Sequence, residues 1–275
     1  MNISCSTACF PALPVEDRYR LIALLGFKRV GVTVFVPEAD LSAFLSNPDG
    51  LATRVAGSLE ETGLLATDLF LIAPCDSISA AAPNAQEKQR RTERRRVFLA
   101  GVRCATKLEV PGISILPGVP WPGKPSEAWT TAKEELRWYC DEAGRSGLEL
   151  RAEPHIGSIV PTPELTALML EEVPGLKLAL DVGHFTFQGI ELGRVLPLAG
   201  ATGYVHLGGA AAGALHIRLS RNEIDFAILL KSLDEAGYAG DLCVEYVPMD
   251  KWGADTTDAI SAIIETREFL ARHLV

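Results

Sequence analysis

Several common signatures are missing from this 275-residue chain. No two of its six cysteines (Cys5, Cys9, Cys75, Cys104, Cys140 and Cys243) stand in CxxC spacing. That removes a zinc-thiolate motif, and because several lie in apolar runs such as 71–75 and 242–244, buried free thiols in a reducing compartment are expected rather than disulfides. No stretch approaches the ~18 uninterrupted apolar residues of a membrane-spanning helix, and the chain does not open on a charged segment followed by a long apolar one. Neither GxGxxG nor GxxxxGK[ST] follows an early strand, so the nucleotide-binding folds lose their main support. Positive charge is in deficit: 26 Lys and Arg against 35 Asp and Glu give a formal charge of −9, unsuited to gripping nucleic acid through clustered cations. The expectation is a soluble cytoplasmic protein with neither a membrane nor a nucleic-acid partner.

What is present is globular composition, 48% hydrophobic and 22% charged, in a chain long enough for one large domain over 1–275. Short apolar or β-branched runs alternate with helical periods throughout. The strand candidates are 3–6, 30–35, 68–73, 112–116, 148–153, 176–181, 203–207 and 242–246. Helical segments are expected at 15–25, 49–62, 86–108, 126–146, 162–172, 192–199, 223–236 and 256–273, with Ser126 and Thr162-Pro163-Glu164 as starts and Gly26, Gly144 and Gly237 as stops. Strict β/α alternation argues for a parallel sheet wrapped by helices. Eight units, with about 250 residues sufficient, favour a closed (β/α)8 TIM barrel over an open sheet. The arginine run Arg90, Arg91, Arg94, Arg95 and Arg96 is read as a solvated helix face, because its period continues into Val97, Phe98 and Leu99.

Four strand candidates place a metal-ligating side chain at their C-terminal end: Glu153, Asp181, His206 and Glu245. In an eight-stranded barrel these ends converge on the face where active sites are built. Each residue alone has an ordinary explanation: Glu153 a solvated strand end, Asp181 a helix cap, His206 a satisfied core histidine, Glu245 a partner of a nearby arginine. Four on consecutive strands are harder to explain that way, since a carboxylate at the end of an apolar strand is costly to bury unless paired, protonated or metal-bound. Three carboxylates and an imidazole suit one hard or borderline divalent cation. Four of the five histidines (His155, His184, His206 and His216) fall between 155 and 216, and His155 and His184 stand two and three residues beyond proposed ligands, placed to touch a substrate. The alternative for His184 is a structural hydrogen bond.

With those residues the chain resembles the xylose-isomerase-like sugar isomerases and epimerases, the superfamily that also holds the endonuclease IV type DNA-repair enzymes. The resemblance covers essentially the whole chain and is carried by Glu153-Pro-His155-Ile-Gly-Ser158, Asp181-Val-Gly-His184-Phe, Val205-His206-Leu, Glu223-Ile-Asp225-Phe226, Glu245 and the early segment from Arg18 to Arg29. It implies one divalent ion, Mn, Mg or Co with Zn as an alternative, on Glu153, Asp181, His206 and Glu245. It also implies Glu153 and Glu245 as the acid/base pair beside a substrate carbonyl. Substrate contacts are expected from His155, His184, His216, Arg218 and Trp121, the last as a stacking face or a hydrophobic lid. The implied partner is a small carbohydrate or cyclitol, and relatives commonly form homodimers or homotetramers.

The pattern is also broken in places. The second strand, Val30-Gly-Val-Thr33-Val-Phe35, lacks the glutamate that many members carry near its end. His206 is followed by Leu-Gly-Gly where members often have an acidic residue. Leu219-Ser-Arg221-Asn222 replaces a Leu-Gly-x-Gly turn, and Ile156-Gly-Ser158-Ile159 lacks a second glutamate. These departures bear on substrate rather than metal. The leading expectation is a metal-dependent isomerase or epimerase of a small keto-sugar, sugar acid or cyclitol; a lyase or dehydratase on a keto-inositol or keto-glycoside, and a noncatalytic binding subunit on the same fold, stay open. A DNA-cleaving member would need more histidines than five.

Overall fold

The structure is a computed structural model that describes residues 1–255 and 258–274. In chain order the elements are β1 (Asn2–Ser6), α1 (Val15–Leu24), β2 (Arg29–Phe35), α2 (Leu41–Ser46), α3 (Pro48–Thr62), β3 (Leu65–Ile72), α4 (Ile78–Ala81), α5 (Lys88–Lys107), β4 (Gly112–Ile115), α6 (Pro125–Arg145) and β5 (Glu149–Ala152). They continue with α7 (Pro163–Glu172), β6 (Lys177–Asp181), α8 (Val182–Phe187), α9 (Leu192–Val195), β7 (Thr202–Leu207), β8 (Gly209–Ala211), β9 (Ala214–Ile217), α10 (Phe226–Glu235), β10 (Asp241–Val244) and α11 (Ala259–His273). Eight strands close into a parallel barrel in the order β1-β10-β7-β6-β5-β4-β3-β2, while β8 and β9 form a separate antiparallel hairpin. The expected TIM barrel is thus present. Among the described residues no helix is long and apolar enough to cross a membrane.

The contacts divide the chain into two compact units. The first comprises Met1–Val32, Ser58–Thr67 and Ala179–Val275. In it β1 pairs with β10 from Asn2↔Asp241 to Cys5↔Val244, and β10 pairs with β7, Cys243 opposite His206. Arg29 forks onto Asp241 at 2.6 and 2.9 Å, a bidentate geometry that fixes where β10 starts. The Tyr204 hydroxyl meets Thr67 Oγ1 at 2.7 Å and Ser4 Oγ at 3.3 Å. A Cβ at position 31 would lie 2.8 Å from that hydroxyl and 2.9 Å from Cys243 Sγ, so glycine there is a packing requirement. Ala179, Tyr204 and Cys243 form one buried layer. Burial pushes the Cys5 and Cys243 thiols well above their ordinary value, and all six cysteines are free.

The second unit comprises Thr33–Gly57 and Asp68–Leu178. Its strands run in register from Leu69↔Ile113 through Ser114↔Arg151 to Ala152↔Leu178. Arg151 is buried against Asp68 at 2.9 Å and Glu149 at 2.8 Å. Helices α5 and α6 pack through Phe98 stacked on Tyr139, ring centroids 4.2 Å apart. Beside them Arg95 holds Glu135 with two bonds of 2.7 and 3.1 Å while lying 4.7 Å over the Trp138 ring.

This corrects the reading of the arginine run as a solvated face. Arg90 and Arg96 are exposed, but Arg94 is 3% exposed and faces Glu93 and Glu38, and Arg91 approaches Glu135 at 3.5 Å. The buried carboxylate of Glu135 on α6 draws in the arginines of that side of α5. Other differences are local. Gly144 lies inside α6, which starts at Pro125 with Lys124 rather than Ser126 at its cap. The 192–199 segment becomes 3-10 from Leu196, where Pro197 lacks an amide hydrogen. The stretch between the expected strand 203–207 and the expected helix 223–236, for which no element is expected, carries the hairpin. Thr256, the expected start of the last helix, lies outside the described residues, and α11 begins at Ala259.

Removing Asp68 takes a fully buried partner from Arg151 and leaves it the more exposed Glu149. Asp68→Ala is expected to lower the unfolding free energy by about 1–3 kcal/mol in urea denaturation. Asp17→Ala, which opens the exposed Asp17–Arg20 pair, is expected to leave the midpoint unchanged.

Candidate metal centre

Side chains alternate along a strand, so residues two apart share a face. Ala179, Tyr204 and Cys243 make one buried layer of the first unit, and two residues beyond each stand Asp181, His206 and Glu245. They are 3%, 2% and 5% exposed. The next layer is therefore ionisable where the one beneath it is neutral. In the second unit Glu153 lies two residues beyond Arg151, is 4% exposed, and donates its backbone N–H to Ile115 O at 3.0 Å. Asp181, His184, His206 and Glu245 in the first unit, and Glu153 in the second, are each buried carboxylate or imidazole groups of the kind that ligate a divalent ion.

Asp181 divides its two oxygens. Oδ1 accepts the Gly183 N–H at 2.7 Å, capping α8, while Oδ2 stands 3.7 Å from His184 Nε2. The cap reading and the ligand reading thus apply to different atoms, and the cap fixes the direction of the second oxygen. His206 Nδ1 lies 3.8 Å from Glu245 Oε2, beyond hydrogen-bond length, and its ring meets Tyr204 edge-on at 5.4 Å. Glu245 Oε1 is buried and has no hydrogen-bond partner among the described residues. An unsatisfied buried carboxylate oxygen is strongly unfavourable. A divalent cation relieves that cost, and the oxygen-and-imidazole donor set suits one. The residues fit the implied group.

The step after His206 explains the Leu-Gly-Gly departure. A Cβ at Gly208 would lie 2.5 Å from Glu245 O, and one at Gly209 would lie 2.1 Å from Ile217 O. Two glycines let this backbone run between the end of β10 and the hairpin. Across it His216 places Nδ1 3.3 Å from Glu245 O, in a left-handed backbone conformation (φ 54°). Burial lowers the His216 pKa, opposed by the nearby Glu245 charge, which favours a neutral ring.

The other expected contacts are placed as follows. His155 is buried, with Nδ1 2.7 Å from Ile156 O, and its N–H donates to Ser158 Oγ at 3.4 Å, so Glu153-Pro-His155-Ile-Gly-Ser158 forms one turn. Trp121 is 9% exposed and donates Nε1–H to Asn84 O at 3.0 Å, a packed position. Arg218 is held by Glu265 and lies 3.7 Å from Asp258, tying the hairpin to α11. Sequence reasoning missed Trp252. Its ring stands edge-on to His184 and at 61° to Phe187, each at 6.3 Å, its carbonyl accepts the Leu215 N–H at 2.9 Å, and its φ is 58°. A bulky residue in that region is strained, and such strain gathers at functional sites. The only signal in the sequence was a single Trp-Gly pair after the eighth strand.

The family model described as the xylose isomerase-like TIM barrel matches residues 19–273. No curated protein matches the chain significantly. Among solved structures, the D-psicose 3-epimerase of Clostridium cellulolyticum H10 with D-tagatose is 16% identical and superposes with a TM-score of 0.79, covering 100% of this chain and 99% of that one. The D-allulose 3-epimerase of Methylomonas sp. in complex with D-allulose is 17% identical, with a TM-score of 0.76 over 99% and 97%. The 3-keto-D-glucoside 4-epimerase of E. coli is 16% identical, with a TM-score of 0.73 over 99% of each chain. At these identities the likeness is one of fold.

Gly208→Ala is expected to cost about 1–3 kcal/mol in thermal or urea unfolding, because the obstructing atom is backbone and cannot swing away. Gly193→Ala, on α9 with open space around it, is expected to be neutral or slightly stabilising. Equal behaviour of the two would refute the close-approach argument.

Proposed function

The chain belongs to the xylose isomerase-like TIM barrel family, and on that premise we propose that it is a divalent-metal-dependent sugar isomerase or epimerase. It would act on a small keto-sugar, sugar acid or cyclitol by moving a proton at the carbon beside a carbonyl. The observation that carries this reading is the layer of Asp181, His206 and Glu245, with a buried Glu245 Oε1 that has no hydrogen-bond donor. Glu153, Asp181, His206 and Glu245 would hold the ion, Mn, Mg or Co before Zn. The ion supplies Lewis-acid stabilisation of the negative charge that develops on the substrate's carbonyl oxygen.

The remaining work falls to the chain's own groups. Glu245 Oε1 has a lone pair that no donor among the described residues occupies, so it can take a proton from carbon; Glu153 is the corresponding acid for the opposite face. His184, braced edge-on by Trp252 and set by the α8 cap, can offer a hydrogen bond to a substrate hydroxyl. His216, if Nδ1 carries the proton donated to Glu245 O, keeps Nε2 as an acceptor for another. His155 follows Glu153 in its turn. Arg218 and Trp121, committed to Glu265 and to Asn84 O, shape the surroundings of the site more than they grip a ligand. The half-buried Phe187 and Trp252 rings, packed on one another, would help exclude water from the reacting carbon.

Elemental mass spectrometry after dialysis against Mn(II) is expected to find about one equivalent per chain. The loaded protein should then catalyse deuterium wash-in from D2O beside the carbonyl of a ketose or keto-cyclitol, read by NMR. Glu245→Gln is expected to cut that exchange by at least about 10²-fold. Absence of any metal uptake would sink the mechanism, and loss of water from the product would reassign the chain to the lyases.

A further inference from the structure

Tyr246 follows Glu245 and is 0% exposed. Its phenol accepts the backbone N–H of Gly209 at 3.1 Å and shares a 2.7 Å hydrogen bond with Thr266 Oγ1 on α11, itself fully buried. Its own N–H donates to Cys9 Sγ at 3.3 Å, and the same thiol reaches the Val244 carbonyl at 3.7 Å. In a parallel ladder one neighbouring residue takes both of the backbone groups that flank its partner. The β1–β10 ladder stops at Cys5↔Val244, and beyond it the Cys9 thiol takes both groups flanking Glu245. Glu245 itself is tied by its N–H to Leu207 O at 2.8 Å.

We propose that Tyr246 is a positioning residue: by holding the Gly208–Gly209 step to α11 it sets the spacing between His206 at the end of β7 and Glu245 at the end of β10. The inference rests on the metal-site reading above. Its physical basis is that the chain leaves β7 two residues before Gly209, and the Gly209 N–H is buried with the phenol as its acceptor. Gly208 runs against Glu245 O, and His216 reaches over it to the same carbonyl. Without the phenol oxygen the Gly209 N–H must find another acceptor. The step can then lift, taking His216 with it and loosening the end of β7. Outer contacts of this kind hold metal ligands in place, and their loss typically weakens metal affinity by about 10–100-fold.

The test is the Mn(II) dissociation constant of the full chain, by calorimetry or by the electron paramagnetic resonance of free Mn(II). Tyr246→Phe removes one oxygen and keeps the ring; it is expected to weaken Mn(II) binding about tenfold or more and to speed amide hydrogen exchange at Gly209. Thr266→Val, which removes the phenol's other partner, is expected to shift affinity in the same direction by less, and it stands in if Tyr246→Phe does not fold. Tyr238→Phe is the structural control. It deletes an equally buried bond, Tyr238 Oη to Asp241 O at 2.6 Å at the other end of β10, and should lower stability with Mn(II) affinity unchanged. Wild-type affinity in both Tyr246→Phe and Thr266→Val, or equal weakening by Tyr238→Phe, would overturn the inference while leaving the metal site standing. A wild-type chain that takes up no Mn(II) would sink the metal-site reading and this inference together.

Discussion

Burial of carboxylates at the ends of apolar strands is the constraint from which the rest of the site follows. Asp181 and Glu245 are almost wholly shielded from water, and in that setting an anion is stable only with a donor, a proton or a cation nearby. Asp181 meets half of the requirement with the α8 cap. Glu245 has His206 Nδ1 at 3.8 Å from one oxygen, and the other has no hydrogen-bond partner among the described residues. A sheet could avoid this by placing such residues on loops, where water satisfies them. Here the strands hold them rigidly, as a site that must reproduce one geometry demands.

The floor beneath that layer is arranged to add no charge. Ala179 is apolar, Cys243 is kept as a neutral thiol by burial, and the Tyr204 hydroxyl is satisfied by Thr67 and Ser4. Gly31 makes room for both the phenol and the Cys243 sulfur. In the second unit the interior cation Arg151 is matched by Asp68 and Glu149 rather than left to act at a distance. The structural cation Arg151 is compensated close by, whereas Glu245 Oε1, in the layer assigned to chemistry, has no hydrogen-bond partner among the described residues.

Much of this was legible in the sequence because barrel strands are local in period. Eight short apolar runs separated by helical periods identify the fold, and Asp181, His206 and Glu245 stand out because each ends such a run. What was not legible depends on contacts between distant segments. Arg218 reads as a free cation in a loop until Glu265, 47 residues on, is seen to hold it. Arg91 and Arg95 read as solvent-facing until Glu135 and Trp138 of the next helix are placed beside them. The hairpin of Gly209–Ala211 and Ala214–Ile217 is built from short, small residues without a strong alternation, so its period could not be told from a loop's. Trp252 stands alone in its segment, and no period marks a single aromatic.

These two classes of residue have different consequences for function. The layer of ligands is set by the alternation of the barrel strands, which tolerates little change without loss of the fold. The surroundings that would select a substrate lie in the hairpin, the Gly208–Gly209 step and the segment carrying Trp252, held together by the Leu215 N–H on the Trp252 carbonyl and by Gly253 against Gly213. Two of the four departures from the family pattern, Leu207-Gly-Gly and Leu219-Ser-Arg221-Asn222, fall here too. Among the described residues three non-glycine positions have left-handed backbone, and two of them, His216 and Trp252, lie in this cover, so its strain is borne by residues packed beside Glu245 and His184. Under the proposed function, a chain that keeps the layer of Asp181, His206 and Glu245 while rebuilding the cover would draw its class of chemistry from the barrel and its choice of substrate from the loops.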